Sequence, residues 1–238
     1  AAIEGVGEGV AGDAVGHNQR ALCLSKLRDL KGATEDMRQV VQLLPRRAVF
    51  RDNLALYANY ASDFQTAEKE ALAVEEPDAY AVLALAFAQF GQGRVQEATA
   101  TYTRLAGMGR LGATMSASGL ADIALYEGRL SDAIQGFEAG AAADLAAKNG
   151  DKAAMKLTSV AYANLLMGRP RPAAAAAERA LAHSKAVAIQ FLAGRTFVAA
   201  GVTERARELS AGLSQGLQSE PQAYARIIEG ELALKAGN

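Results

Sequence analysis

Leucines, alanines and aromatics recur along this chain at spacings of three and four, the period at which one face of an α-helix returns to the same side. A longer pattern lies over this one. Six times a small residue is followed seven positions later by a turn residue and five after that by alanine: Ala21/Arg28/Ala33, Ala55/Ser62/Ala67, Ala86/Gly93/Ala98, Ala121/Gly128/Ala133, Ala161/Gly168/Ala173 and Gly194/Gly201/Ala206. Each set reads helix, tight turn, helix. The closing alanines step by 34, 31, 35, 40 and 33 residues, close to the period of about 34 of a helix-turn-helix array. The pattern predicts an all-α repeat protein of antiparallel helix pairs, six units beginning near Ala14, Ala48, Ala79, Thr114, Ala154 and Val187.

Numbering each unit so that the small residue seven before the turn residue is position 8, positions 8 and 20 fall where the two helices cross. Only alanine or glycine there lets the backbones approach to about 8 Å. The turn residue ends the first helix in a left-handed conformation that glycine adopts without steric cost. Position 24 supplies a filler from the second helix, as Met37, Tyr102 and Phe137. Pro45 and Pro77 follow the second helices of the first two units, where a missing amide donor stops a helix. Gln222 to Gly237 reads as a further first helix, half of a seventh unit, with Gly230 at position 8. The step of 40 predicts a longer connection, marked by Asn149-Gly150. Residues 1–13, with Gly5, Gly7, Gly9 and Gly12, read as the frayed remnant of a preceding unit. From its two ends the chain reads as an excerpt of something longer.

Half of the 238 residues are hydrophobic, yet only 6% are aromatic and tryptophan is absent, so alanine and leucine must fill the interior. Lys and Arg number 25 against 26 Asp and Glu, without a block of like charge. Nothing here supplies the counterion release that drives nucleic-acid binding. Ala79 to Phe90 is the most apolar stretch, well short of the roughly 20 residues that span a bilayer. Cys23 is the single cysteine and cannot form an internal disulfide, which leaves the compartment open; a buried, reduced core thiol is expected.

Candidate chemistry is thin. Gly7-Glu8-Gly9-Val10-Ala11-Gly12 matches the glycine pattern of nucleotide-binding loops, but too few residues precede it for the strand that the dinucleotide form needs. The lysine, H-R-D and D-F-G elements that accompany the kinase form are missing. His17 and Cys23 stand nearly on opposite faces of one helix, and two histidines with one cysteine make a poor transition-metal set. Glu75 and Glu76, adjacent and next to Pro77, suit a solvated turn better than paired acid-base work. The expectation is no active site, no metal and no cofactor.

These residues resemble the tetratricopeptide repeat, which implies a right-handed α-solenoid over about residues 14–238. The resemblance implies further that first helices line a concave groove, into which positions 2, 5, 9, 12 and 13 point. Transferred residue by residue, it selects Asp52, Asn59 and Tyr60; Tyr80, Leu83, Phe87 and Phe90; Asp122 and Tyr126; Thr158 and Tyr162; Phe191 and Arg195; and Tyr224 with Ile227. An aromatic in every unit from the second onward suits an extended or helical peptide, although aromatics at helical spacing also suit a core. The carboxylate clamp of chaperone-binding members is mostly missing, with only Asn53 in agreement. Departures from the pattern are His17 at an aromatic position and Arg28 in place of the turn glycine.

Several strings, among them Phe50 to Ala71, Gly119 to Ile134, Gly140 to Asn149 and Glu220 to Gly237, are similar to the C-terminal repeat region of large bacterial signalling proteins, eukaryotic-like Ser/Thr kinases and winged-helix regulators. That likeness implies an interaction scaffold within a larger protein, in the bacterial cytoplasm or periplasm. The expected function is therefore binding of a peptide or protein segment. A structural spacer that self-associates through open repeat ends is an alternative. Recognition of a small carboxylate or phosphate beside Arg195 and Phe191 is a second.

Overall fold

A computed structural model of the chain describes residues 8–237. Among them are thirteen α-helices: α1 (Glu8–Lys26), α2 (Leu30–Leu43), α3 (Ala48–Tyr60), α4 (Phe64–Leu72), α5 (Ala79–Gly91), α6 (Val95–Leu105), α7 (Gly109–Tyr126), α8 (Leu130–Ala146), α9 (Gly150–Leu166), α10 (Pro170–His183), α11 (Val187–Ala200), α12 (Thr203–Ser214) and α13 (Ser219–Ala236). The chain divides into two compact units, residues 1–116 and 117–238, that part within α7.

In both units consecutive helices pack as pairs, and first helices also touch each other: α3 meets α5 in one unit, and α11 meets both α9 and α13 in the other. The crossing positions are closed as the spacing requires. Ala21, Ala33, Ala55, Ala67, Ala86, Ala98, Ala133, Ala161, Ala173 and Ala206 are wholly buried, and Ala121 nearly so. The position-24 fillers Met37, Tyr102 and Phe137 are buried as well. Gly194 adds a refinement. A Cβ on it would stand 2.5 Å from Ile228 Cδ1 of α13 but 3.9 Å from Leu209 Cβ of α12, so the glycine admits the next first helix and not its own partner.

All six turn residues are left-handed: Arg28, Ser62, Gly93, Gly128, Gly168 and Gly201 have φ between 62° and 81°. Behind each, the following amide reaches back five residues, as Asp29 N to Leu24 O and Arg94 N to Gln89 O, both 2.9 Å. That bond satisfies a carbonyl which the helix end would leave unpaired. Asp29 and Asp63 then cap α2 and α4, accepting from Gly32 N at 2.9 Å and Thr66 N at 3.2 Å. Arg28 and Ser62 hold a conformation that an L side chain reaches only at a cost. Arg28→Gly and Ser62→Gly should each raise stability by about 0.5–1 kcal/mol, read as a higher urea midpoint; a lower midpoint would contradict the left-handed turn.

Two expectations change, and a third segment is seen only in part. The step of 40 contains no long loop: α8 and α9 are 17 residues each and are joined by residues 147–149, a three-residue turn with Lys148 at φ 61°. The additional residues lengthen the helices, because Asn149 precedes α9 directly and its carbonyl accepts from Ala153 N. Within the segment read as the frayed remnant of a preceding unit, α1 already begins at Glu8, so Gly9 and Gly12 are helical, while Gly5 and Gly7 lie outside the described residues. Cys23 is exposed and not a core thiol. It occupies position 10, which Ala88, Ala163 and Thr196 fill as buried residues in later units.

Candidate functional site

The two kinds of helix expose different chemistry. Second helices are tied sideways by ion pairs. In residues 117–238, Arg179 of α10 donates to both carboxylate oxygens of Glu138 on α8 at 2.7 Å, and Arg205 of α12 donates to Glu178 on α10 at 2.7 and 3.1 Å. In residues 1–116, Arg38 of α2 meets Asp63 at 2.7 Å and Arg94 meets Glu68 of α4 at 2.5 Å. Exposed pairs of this kind contribute little individually, at most about 1 kcal/mol. They mark a solvated face.

First helices expose apolar groups instead. Among the described residues fifteen large hydrophobic side chains are exposed, and eleven of them occupy positions 2, 5, 9, 12 or 13: Val15, Leu22, Val49, Tyr60, Tyr80, Tyr126, Met155, Tyr162, Leu166, Ile227 and Leu234. Those five positions make up about a seventh of a 34-residue unit. Selecting aromatics at these positions passes over Met155, Leu166, Leu22, Val15, Val49 and Leu234. Selecting every apolar side chain at the same positions finds them.

Within residues 1–116, Tyr60 and Tyr80 are exposed, whereas Phe87 and Phe90 are half-buried. The Tyr60 ring meets Phe87 edge-on, centroids 6.0 Å apart at 68°, a favoured aromatic geometry. Asp52 and Asn59 are buried. Asn59 donates from Nδ2 to the Ala84 carbonyl of α5 at 2.9 Å, which places it in the seam between α3 and α5. Asp52 Oδ1 and Asn59 Oδ1 are buried without a hydrogen-bond partner among the described residues. Burial, and secondly the charge of Asp78, push the Asp52 carboxyl up to about 6.

Within residues 117–238, Asp122, Tyr126, Tyr162 and Arg195 are exposed, while Phe191 and Tyr224 are half-buried and Thr158 is buried. Phe191 and Tyr224 stack with centroids 4.0 Å apart at 10°. Arg195 lies 5.8 Å over the Phe191 ring and donates to Glu231 Oε1 of α13 at 2.7 Å. Glu231 thus occupies the place a ligand carboxylate would take.

Behind this face lies a charged pair that sequence reasoning missed. Lys156 of α9 donates to Asp144 Oδ2 of α8 at 2.6 Å, with both side chains 4% exposed. Gly140 makes room for it: a Cβ there would stand 2.8 Å from Lys156 Cε. Lys156 also acts on Asp122, lowering its carboxyl against a larger upward push from burial that brings it to about 6. Asp122 is exposed.

His17 Nδ1 lies 3.0 Å from Asp36 Oδ1. Among the described residues there is no grouping of three or more His, Cys, Asp or Glu that could hold a metal, and no helix is long and apolar enough to cross a membrane.

No family model matches the chain, nor does any curated protein at a significant level. Its fold does have counterparts among solved structures. It is similar to PilW, a widely conserved type IV pilus biogenesis factor, with TM-score 0.58 and 16% identity over 88% of this chain and 97% of that one. It is also similar to PilF of Pseudomonas aeruginosa, with TM-score 0.54 and 16% identity over 91% of this chain and 98% of that one. A further match is YrrB, a TPR protein with an unusual peptide-binding site, with TM-score 0.44 and 13% identity over 74% and 89%. Taken with the helix pairs, the crossing alanines and the left-handed turns, the chain has the all-α fold of a tetratricopeptide-repeat solenoid.

Proposed function

We propose that this chain is a non-catalytic interaction scaffold, whose first helices form a groove that binds a peptide or protein segment. The observation that carries this reading is the concentration of exposed apolar side chains at positions 2, 5, 9, 12 and 13 of first helices. Scattered exposed hydrophobics are ordinary on a protein surface, but a patterned set marks an interaction face. Tyrosines suit such a face, since their rigid amphipathic rings bury much area with few rotatable bonds. The partner is protein and not nucleic acid, because 25 basic residues are balanced by 26 acidic ones and Arg195, a groove cation, is engaged by Glu231.

Selection of random twelve-residue peptides on the immobilised chain, followed by calorimetric titration of the winners, tests the reading. Alanine at Met155, Tyr126 and Tyr162 together, or at Tyr60 and Tyr80 together, should weaken the peptides that use each face at least tenfold, about 1.4 kcal/mol or more. Affinity unchanged in both variants would overturn the groove.

A further inference from the structure

Within residues 1–116 a pocket of about 660 Å³ opens between two connections, residues 44–47 that join α2 to α3 and residues 73–78 that join α4 to α5. That is room for a small organic molecule. Helix α4, at nine residues the shortest of the described helices, stops at Leu72, and the pocket lies beyond its end, against Ala73 and Val74. Its walls carry both signs of charge. Arg46 and Arg51 line it from the first connection and the first turn of α3, Glu75 and Glu76 from the second connection.

Arg51 is held in place by the protein itself. Its Nε donates to the Pro45 carbonyl at 3.1 Å and its Nη1 to Glu70 Oε2 on α4, with the side chain 21% exposed. Those bonds use two of the five N–H donors of a guanidinium, and no acceptor among the described residues takes the others. The arginine stands at position 4, where Val82 and Leu157 are buried apolar fillers in other units, so helix pairing does not call for a cation there. Arg46, Glu75 and Glu76 are exposed and enter no ion pair among the described residues. The helix ends add charge of matching sign: α3 begins at Arg47 without a side-chain cap, its positive end open, while the negative end of α4 lies on the side of Glu75.

A lone anion drawn to the arginines would meet two carboxylates in the same pocket, and a lone cation would meet two guanidiniums. A molecule with both charges suits both walls. We propose that this pocket binds a short zwitterion, a peptide of two or three small residues with both ends free, its carboxylate on Arg51 and Arg46 and its ammonium on Glu75 and Glu76. A guanidinium already fixed by two bonds presents its remaining donors to a carboxylate with little further ordering. Ala48 and Arg51, the first-helix residues of the lining, hold positions 1 and 4, so this site is separate from the groove proposed above.

Trialanine, its N-acetylated form and its C-terminal amide separate the two ends in a nuclear magnetic resonance titration of the unmodified chain. Trialanine should shift the backbone amides of Ala48, Ala73 and Val74 to saturation, and each blocked form should bind roughly tenfold more weakly or worse. Glu75→Gln/Glu76→Gln, at two exposed positions, should bring trialanine down to the level of its N-acetylated form, and Arg46→Gln should narrow the gap between trialanine and its amide. No shift at millimolar trialanine, or equal binding of all three forms, would overturn the site while leaving the groove untouched. A preference for the free amine that persists in Glu75→Gln/Glu76→Gln would overturn the placing of the two ends. The comparison of the three forms depends on no variant folding.

Discussion

Lys156→Met should lower the unfolding free energy by about 3–5 kcal/mol, because it removes one partner of a buried ion pair and leaves the other charge without its counter-ion. The pair joins α8 to α9 at 2.6 Å with both side chains almost wholly enclosed. Its attraction is largely offset by desolvation, so the pair as a whole adds little beyond what well-packed apolar groups would give. The double variant Asp144→Leu/Lys156→Met should therefore recover most of the loss. Urea denaturation of the single and double variants separates the two contributions. A single variant within about 1 kcal/mol of the original chain would show that another donor holds Asp144 once the lysine is gone, and would contradict this reading of the pair.

The second large effect has the opposite sign. Asp52→Asn should stabilise the chain at pH 7.5 by about 2 kcal/mol. Burial moves this carboxyl from 3.8 to about 6, and each pH unit of that interval disfavours the charged form by about 1.4 kcal/mol, less what residual solvent screening returns. The folded protein holds this proton more tightly than the unfolded chain does. The carboxyl's contribution to stability is complete below pH 3.8 and lost as pH rises through 6. The advantage of asparagine should accordingly shrink between pH 7.5 and pH 4.5 and vanish only below pH 3.8. Chemical denaturation at those two values checks it, and an asparagine variant that is neutral or less stable at pH 7.5 would contradict the burial of Asp52.

How much of the fold and the site is legible in the sequence follows from what a chain can encode locally. Crossing alanines, turn residues and the position-24 fillers are set by contacts within one helix pair, so their spacing is visible in the chain and recurs in the structure. Cys23 is different: it is exposed at a position where Ala88, Ala163 and Thr196 are buried, and nothing in the spacing within α1 reports that difference. The long helices α8 and α9 are hidden because Asn-Gly serves equally as a loop and as the start of a helix. Lys156 does leave a signal, a charge at position 3 where Phe50, Ala81, Ile189 and Ala225 stand in other units. Asn59 has the register of a groove residue, but its amide reaches the Ala84 carbonyl of the adjacent first helix and is sealed there.

The exposed face follows from the same packing. Each first helix turns its small residues toward its own partner and the next first helix, as Gly194 does toward Ile228. Its remaining stripe is left uncovered by the array, and tyrosine, methionine and leucine stand there in place of the ion pairs that cover the second helices.

The most direct test is a nuclear magnetic resonance titration of the chain with a selected peptide, following tyrosine ring, methionine methyl and backbone amide signals. Binding through the first helices predicts shifts at Tyr60 and Tyr80, or at Met155, Tyr126 and Tyr162, with the second-helix pairs Glu138–Arg179 and Glu178–Arg205 undisturbed. Shifts confined to those second-helix residues, with the tyrosines silent, would contradict it.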